Sequence, residues 1–411
     1  MEKKQLTHGG DWAGFEIEYG RQPLDFSMNV NPLGISKAVR EAIAKAAESA
    51  ERYPDPLCRE LTQRLAEAEG VPAERIFCGN GAADIIFRLA KALKAAGDML
   101  SRQEPPEGHE PGAAKPVLLV TAPTFSEYET AFAENGWQIR RYLLEEEKGF
   151  RIGEDILDAI GEDTDAVFLC EPNNPTGVTT DHQLLQKILE RCRQTDTVLV
   201  IDECFNGFLE DPAAHSMVAE LRVDMTETAA SDGRESAGGL IILKAFTKLY
   251  GMAGVRLGYC LCPDAEMAEK IRSAGAPWNV SSLAQAAGIA ALTDEEHVEQ
   301  GLAIVKQERP WLKSQLAEVL DGADKSGRKA GARIYGEANY LLFHVGEEDL
   351  HAGDNAAVPL DQQLRSRGIL IRNCSNYPGL GEGWYRVAVR KHEENLQLIE
   401  AVAEISGDQI R

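Results

Sequence analysis

Residues 240–259 read LIILKAFTKLYGMAGVRLGY. The first four are a continuous apolar run, which fits a buried strand better than a helix. Lys248 follows it closely, and Arg256 comes eight residues later among glycines. Three upstream runs have the same character: Val117–Thr121, Ala166–Cys170 and Val198–Asp202. Helical patterns at 125–135 and 181–192 separate them. Continuous apolar strands alternating with amphipathic helices predict an α/β fold, a sheet covered by helices on both faces. Ligands of such sheets bind where the strands end. The segments after these strands are APTFSEYE at 122–129, EPNNPTG at 171–177, Asp202, and the stretch around Lys248.

Upstream, Ser36 is placed to cap a helix over 36–50, with Val39, Ile43, Ala46, Ala47 and Ala50 on one face. A second helix starts after Pro56, turns Leu57, Leu61 and Leu65 inward and stops at Gly70. A third runs over 82–97 behind GNGAAD at 79–84. Downstream, residues 282–322 read as helical with a break at Pro310, followed by short strands at 340–344, 369–372 and 385–389 and a last helix. This pattern predicts an N-terminal arm and small-domain segment over 1–50, a large domain over 51–275 and a smaller α+β domain over 276–411. Residues 101–116, 226–239 and 346–359 read as surface loops.

The 411 residues carry 43 Lys and Arg against 66 Asp and Glu, a net charge of −23. Such a chain repels nucleic acid and anionic membranes, so neither is an expected partner. An anionic ligand requires a locally basic pocket. None of the eight cysteines forms a C-x-x-C pair, which excludes a disulfide framework and a common zinc pattern. No metal is expected. No leader-like segment and no apolar run of about 20 residues is present, so the expected location is cytoplasmic.

The ordered set of Asn174 in EPNNPTG, Asp202, Lys248 and Arg256 resembles the fold-type I pyridoxal 5'-phosphate (PLP) enzymes of the class I/II aminotransferase group. The resemblance covers nearly the whole chain. It implies a mainly parallel seven-stranded sheet and PLP as cofactor. PLP chemistry needs an amine that condenses with the cofactor aldehyde and later moves protons, and Lys248 matches that position. Asp202 matches the carboxylate that keeps the ring nitrogen protonated, and Asn174 the partner of the ring 3-oxygen. Thr247, Arg256 and the backbone at Gly81 and Ala82 match phosphate contacts, and Phe125 a ring-stacking residue. Tyr53 in RYPDP matches a tyrosine that reaches the neighbouring subunit's cofactor, which implies a homodimer with shared sites. Lys244 reads as a solvated surface charge. GNGAAD fails the dinucleotide fingerprint, because Asp84 stands where a small residue is needed.

Within the group, His8-Gly9-Gly10, LDFSMNVNPLG at 24–34, ILIRNCSN at 369–376 and YRVAVR at 385–390 resemble the threonine-phosphate decarboxylase branch of cobalamin biosynthesis. Phe205, three residues after Asp202, also points there, since many aminotransferases have a tyrosine at that place. The resemblance implies a small phosphorylated amino acid as substrate, held by His8, Gly9, Asn31, Asn174, Arg372 and Arg386. Two arginines and a histidine would match a carboxylate plus a phosphate. His8 reads equally as an unstructured terminus, and Arg390 as a pocket-rim charge. The expected reaction converts L-threonine O-3-phosphate to (R)-1-amino-2-propanol O-2-phosphate. A histidinol-phosphate-type aminotransferase is the alternative, and a non-catalytic PLP-binding regulatory protein a more distant one. The residues do not distinguish phosphothreonine from phosphoserine, because the one methyl group between them discriminates weakly, and histidinol phosphate stays open as the substrate of the aminotransferase alternative.

Overall fold

The structure, a computed structural model, describes residues 9–100, 115–227, 239–320, 332–346 and 358–406. Its centre is a seven-stranded sheet. In spatial order the strands are Ile76–Gly79, Gly258–Leu261, Leu240–Ala245, Val198–Asp202, Ala166–Cys170, Val117–Ala122 and Gln138–Leu143. Neighbours among the last five are parallel, and Gly258–Leu261 runs antiparallel to both of its neighbours. This is the mainly parallel α/β sheet implied by the resemblance.

Both faces of the sheet are covered, as the unbroken apolar runs require. Leu199 and Ile201 enter one core with Leu61, Leu65, Leu184 and Ile188 from helices Arg59–Glu69 and His182–Gln194. Val198 and Val200 enter the opposite core with Ile85, Leu89, Phe132 and Ile271. Successive side chains of one strand therefore feed two cores. Each fully buried Val, Leu or Ile contributes about 1.5–3 kcal/mol of transfer free energy, so the strand ends are held firmly.

A second core lies around an antiparallel sheet of Arg372–Asn373, Trp384–Ala388, Tyr340–His344 and Ile334–Tyr335. Leu24–Asp25 pairs in parallel with Ile369–Leu370, and Phe26 enters this core beside Leu341, Phe343, Val387 and Leu398. The N-terminal segment thus joins the C-terminal part of the chain. We propose the division at 1–50, 51–275 and 276–411 as the domain organisation. Two helices nevertheless pack across its boundaries. Lys37–Ala47 and Ser282–Leu292 lie against each other, and Val39, Ala284 and Ala287 join the large core.

Several local readings change. The helix Glu295–Leu320 continues through Pro310, and the interruption falls instead at Thr293–Asp294. The missing proline N–H costs about 3 kcal/mol, and burial of Val305, Leu312 and Leu316 offsets it. The strand 369–372 is two short pieces, because Ile369–Leu370 pairs with Leu24–Asp25 and Arg372–Asn373 with Trp384–Ala388. The edge strand Gln138–Leu143 has no apolar run to announce it. Its arginines face solvent carboxylates, Arg140 on Asp163 and Arg141 on Glu129. Loop residues 101–114, 228–238 and 347–357 lie outside the described residues, as does His8.

Candidate active site

The carboxyl ends of the parallel strands bring the expected residues together. Val198–Asp202 ends in a buried carboxylate. Asp202 Oδ1 accepts the backbone N–H of Cys204 at 2.9 Å, and Oδ2 accepts the Tyr128 hydroxyl at 2.7 Å. Burial raises the Asp202 pKa, and these donors and the charge of Lys248 act against the rise.

Lys248 sits in the short helix Phe246–Leu249, directly after the strand Leu240–Ala245. Its ammonium lies 5.1 Å from the centre of the Phe205 ring. Burial, then the positive charge of Arg386, lowers its pKa from 10.5 to about 8. Its loop is fixed from the N-terminal segment. The Asn31 N–H donates to the Lys248 carbonyl at 2.9 Å, and Asn31 Nδ2 donates to the Leu249 carbonyl at 2.9 Å. Asn31 Oδ1 accepts the Leu33 N–H. The Asn31 side chain therefore braces the lysine loop.

Lys244 departs from the surface reading. It bonds to both oxygens of Glu69 at 2.9 and 3.1 Å and lies 3.7 Å from Glu203. Tyr259 donates to the same Glu69 carboxylate at 2.5 Å. Lys244 is the next-to-last residue of the strand, whereas Lys248 lies beyond it in the helix Phe246–Leu249, and the carboxylates of Glu69 and Glu203 pair with Lys244.

Asn174 is buried in the EPNNPTG loop. The neighbouring Asn173 donates to the Pro123 carbonyl and accepts from Thr124, tying this loop to the one that carries Phe125. Phe125 is half-buried, with its ring edge-on to Tyr128 at 5.5 Å. Thr247 is buried beside Lys248. Gly81 starts the helix Gly81–Leu100 with φ +79°, and a Cβ there would lie 2.6 Å from Arg256 Nη2. Ala82 follows on a backbone N–H only 2.7 Å from where a Cβ on Gly258 would stand. Gly81, Ala82 and Arg256 thus form one cradle. Tyr53 is 81% exposed, and its ring lies tilted against Trp278 with centres 4.8 Å apart.

The small sheet supplies two arginines. Arg372 and Arg386 are buried and occupy directly opposed positions of an antiparallel ladder. Arg386 donates to Asn174 Oδ1 and, at 2.9 Å, to the Ser27 carbonyl, while its buried Nε has no partner. Arg372 donates to Asn376 Oδ1 at 2.8 Å and lies 5.2 Å from the Tyr377 ring centre. Neither has a carboxylate partner among the described residues. Gly9 lies against Ser27, whose hydroxyl accepts the Gly10 N–H at 2.7 Å. Arg390 donates to the backbone carbonyl of Asp25 at 3.1 Å and pairs with the Glu394 carboxylate at 2.6 Å.

Tyr128, Ser27 and Tyr340 were not singled out by sequence. Tyr128 was legible, since it stands one helical turn after Phe125 in APTFSEYE. Ser27 acts through its carbonyl, and Tyr340 donates to the Asn173 carbonyl; backbone partners leave no residue-type signal. Among the described residues no group of His, Cys, Asp and Glu could hold a metal ion, and no helix is long and apolar enough to cross a membrane.

A seven-stranded α/β sheet with a lysine and an aspartate at adjacent strand ends defines a class of cofactor-dependent enzymes. The family model for aminotransferase class I and II matches residues 21–402, and the chain belongs to that PLP-dependent family. The threonine-phosphate decarboxylase of Salmonella typhimurium is 33% identical over 403 residues, covering 97% of this chain and 96% of that protein. The crystal structure of the histidinol-phosphate aminotransferase from Clostridium acetobutylicum aligns with a TM-score of 0.75 and 25% identity, covering 93% of this chain and 99% of that one. The Sinorhizobium meliloti histidinol-phosphate aminotransferase in complex with PLP has a TM-score of 0.72 at 20% identity, covering 99% and 98%.

Proposed function

We propose that this enzyme decarboxylates L-threonine O-3-phosphate to (R)-1-amino-2-propanol O-2-phosphate, a reaction of cobalamin biosynthesis. The observation that carries the reading is the opposed pair Arg372 and Arg386, buried without a carboxylate. Like charges facing each other across a ladder destabilise it, so the pair calls for an anionic ligand. A substrate with a phosphate and a carboxylate supplies two anions of matching forked geometry. Gly9 and His8 would close the same pocket from the N-terminal arm, with Asn174 and the Asn31-braced loop as its floor.

The residues present fit PLP. Lys248 is an amine with no hydrogen-bond or ion-pair partner among the described residues, Asp202 is a buried acceptor, and Gly81 opens a cradle under Arg256. Lys248 would carry the cofactor, Asp202 would face its ring nitrogen, Asn174 its 3-oxygen, and Phe125 its ring. Gly81, Ala82, Thr247 and Arg256 would hold its phosphate. Tyr53, exposed on this chain, would reach the site of a second copy, giving a homodimer. Bound PLP supplies an electron sink for a bond broken at the substrate α-carbon. With a pKa of about 8, the Lys248 amine can release and return a proton near neutral pH. The arginines select the reaction by fixing the direction in which the substrate carboxylate points. The eight buried thiols suit a reducing cytoplasm.

The test incubates PLP-loaded protein with O-phosphothreonine. Release of CO2 with the cofactor retained as aldehyde is expected. Accumulation of pyridoxamine phosphate and a requirement for a keto acid would contradict the decarboxylase and indicate transamination. O-phosphoserine in the same assay measures how far the extra methyl is recognised.

A further inference from the structure

Tyr128 belongs to no expected set of site residues, yet it joins two of them. Its hydroxyl is 2.7 Å from Asp202 Oδ2, and its ring lies edge-on to Phe125 at 5.5 Å. The same ring stacks on Phe168 at 4.0 Å, and the residue is 1% exposed. Burial, then the neighbouring Asp202 charge, pushes the Tyr128 pKa well above its ordinary value, so the phenol stays a donor. The Cys204 N–H occupies Oδ1. With both oxygens held by donors, the carboxylate cannot rotate freely. Hydrogen bonds to the charged form also favour ionisation in a desolvated place.

We propose that Tyr128 is a positioning residue that orients Asp202 and stabilises its charged form opposite the cofactor ring nitrogen, while bracing Phe125 over the ring. The inference rests on the PLP reading above and extends it to a residue outside the expected cofactor and substrate contacts. The groups facing Asp202 are Tyr128, Cys170, Cys204 and Lys248. Of these, Tyr128 is the side chain whose donor can be removed with its ring left in place.

The experiment reconstitutes cofactor-free protein with PLP and measures its dissociation constant against pH for wild type, Tyr128→Phe, Asp202→Asn and the double variant. Tyr128→Phe is expected to weaken PLP by roughly tenfold, the scale of a hydrogen bond to a charged group. The pH at which acid releases PLP should also rise, because the carboxylate protonates earlier. In the Asp202→Asn background the same change should have little effect. Phe168→Leu removes the stacked ring but keeps the hydroxyl, so it should lower Tm without moving the acid midpoint. An unmoved midpoint in Tyr128→Phe, or an equal loss in both backgrounds, would overturn the positioning role. Wild-type protein that takes up no PLP would overturn the PLP reading together with this inference, a result distinct from either of those.

Discussion

The lysine half of the pocket and the arginine half are assembled in different ways. The lysine half is built by consecutive strands of one sheet, each delivering a residue at its carboxyl end: Phe125, Asn174, Asp202 and Lys248. The arginine half joins chain segments that are distant in sequence. Arg372 and Arg386 face each other on the small sheet, and Arg386 spans to Ser27 and Asn174. The first half is fixed by buried strands and the second by side-chain bonds between layers. Substitutions should therefore separate the two, with cofactor retention failing in one and substrate use in the other.

The largest effect is expected for Lys248→Ala. Turnover should fall by at least about 10,000-fold, and the visible absorbance of the lysine-linked cofactor should vanish. A spectrum like that of the wild type would remove Lys248 from the lysine half. Arg386→Ala comes next. It should reduce kcat/KM for the phosphorylated substrate by roughly 30–1,000-fold, the cost of truncating a buried charge partner. PLP affinity should change far less, and the opposite ranking would erase the distinction between the halves.

Lys244→Met sharpens the contrast between two lysines one helical turn apart in number. Lys244 neutralises Glu69 and Glu203, whereas Lys248 has no carboxylate bonded to it. Loss of Lys244 should cost about 1–3 kcal/mol of stability, since it leaves buried carboxylates unpaired. Chemical denaturation would measure this, with PLP affinity near wild type. A loss of PLP affinity without destabilisation would place Lys244 in the site.

The smallest effect is a pH slope. Between pH 8 and 10.5 the unfolded chain keeps a proton on Lys248 that the folded protein has released. Stability of the cofactor-free protein should therefore rise with pH across this window. Lys248→Met should flatten that component in thermal melts, and an unchanged slope would show that burial does not depress this amine. Glu171 has the opposite sign. Burial raises its pKa from 4.5 to about 7, so its contribution is present below pH 4.5 and is lost as pH rises through 7.

The lysine half was largely legible in the sequence because a buried parallel strand leaves a compact signal. Ala166–Cys170 and Val198–Asp202 were read to their exact limits, and the residues after them follow. The edge strand Gln138–Leu143 was not read, because its polar residues are satisfied by partners outside the strand. The role of Lys244 was misread for a related reason. A surface lysine and a half-buried one look alike until Glu69, 175 residues away, is placed beside it. The arginine half came through only by resemblance, since no local pattern announces that Arg372 and Arg386 will be ladder partners. The Asn31 brace was likewise invisible, because it acts on backbone carbonyls.

The most direct test of the central claim is hydride reduction of the PLP-loaded protein, followed by digestion and mass spectrometry. The reduced link should place the pyridoxyl phosphate mass on the peptide that contains Lys248. The same mass on a peptide carrying Lys244 or another lysine, with Lys248 unmodified, would contradict the account.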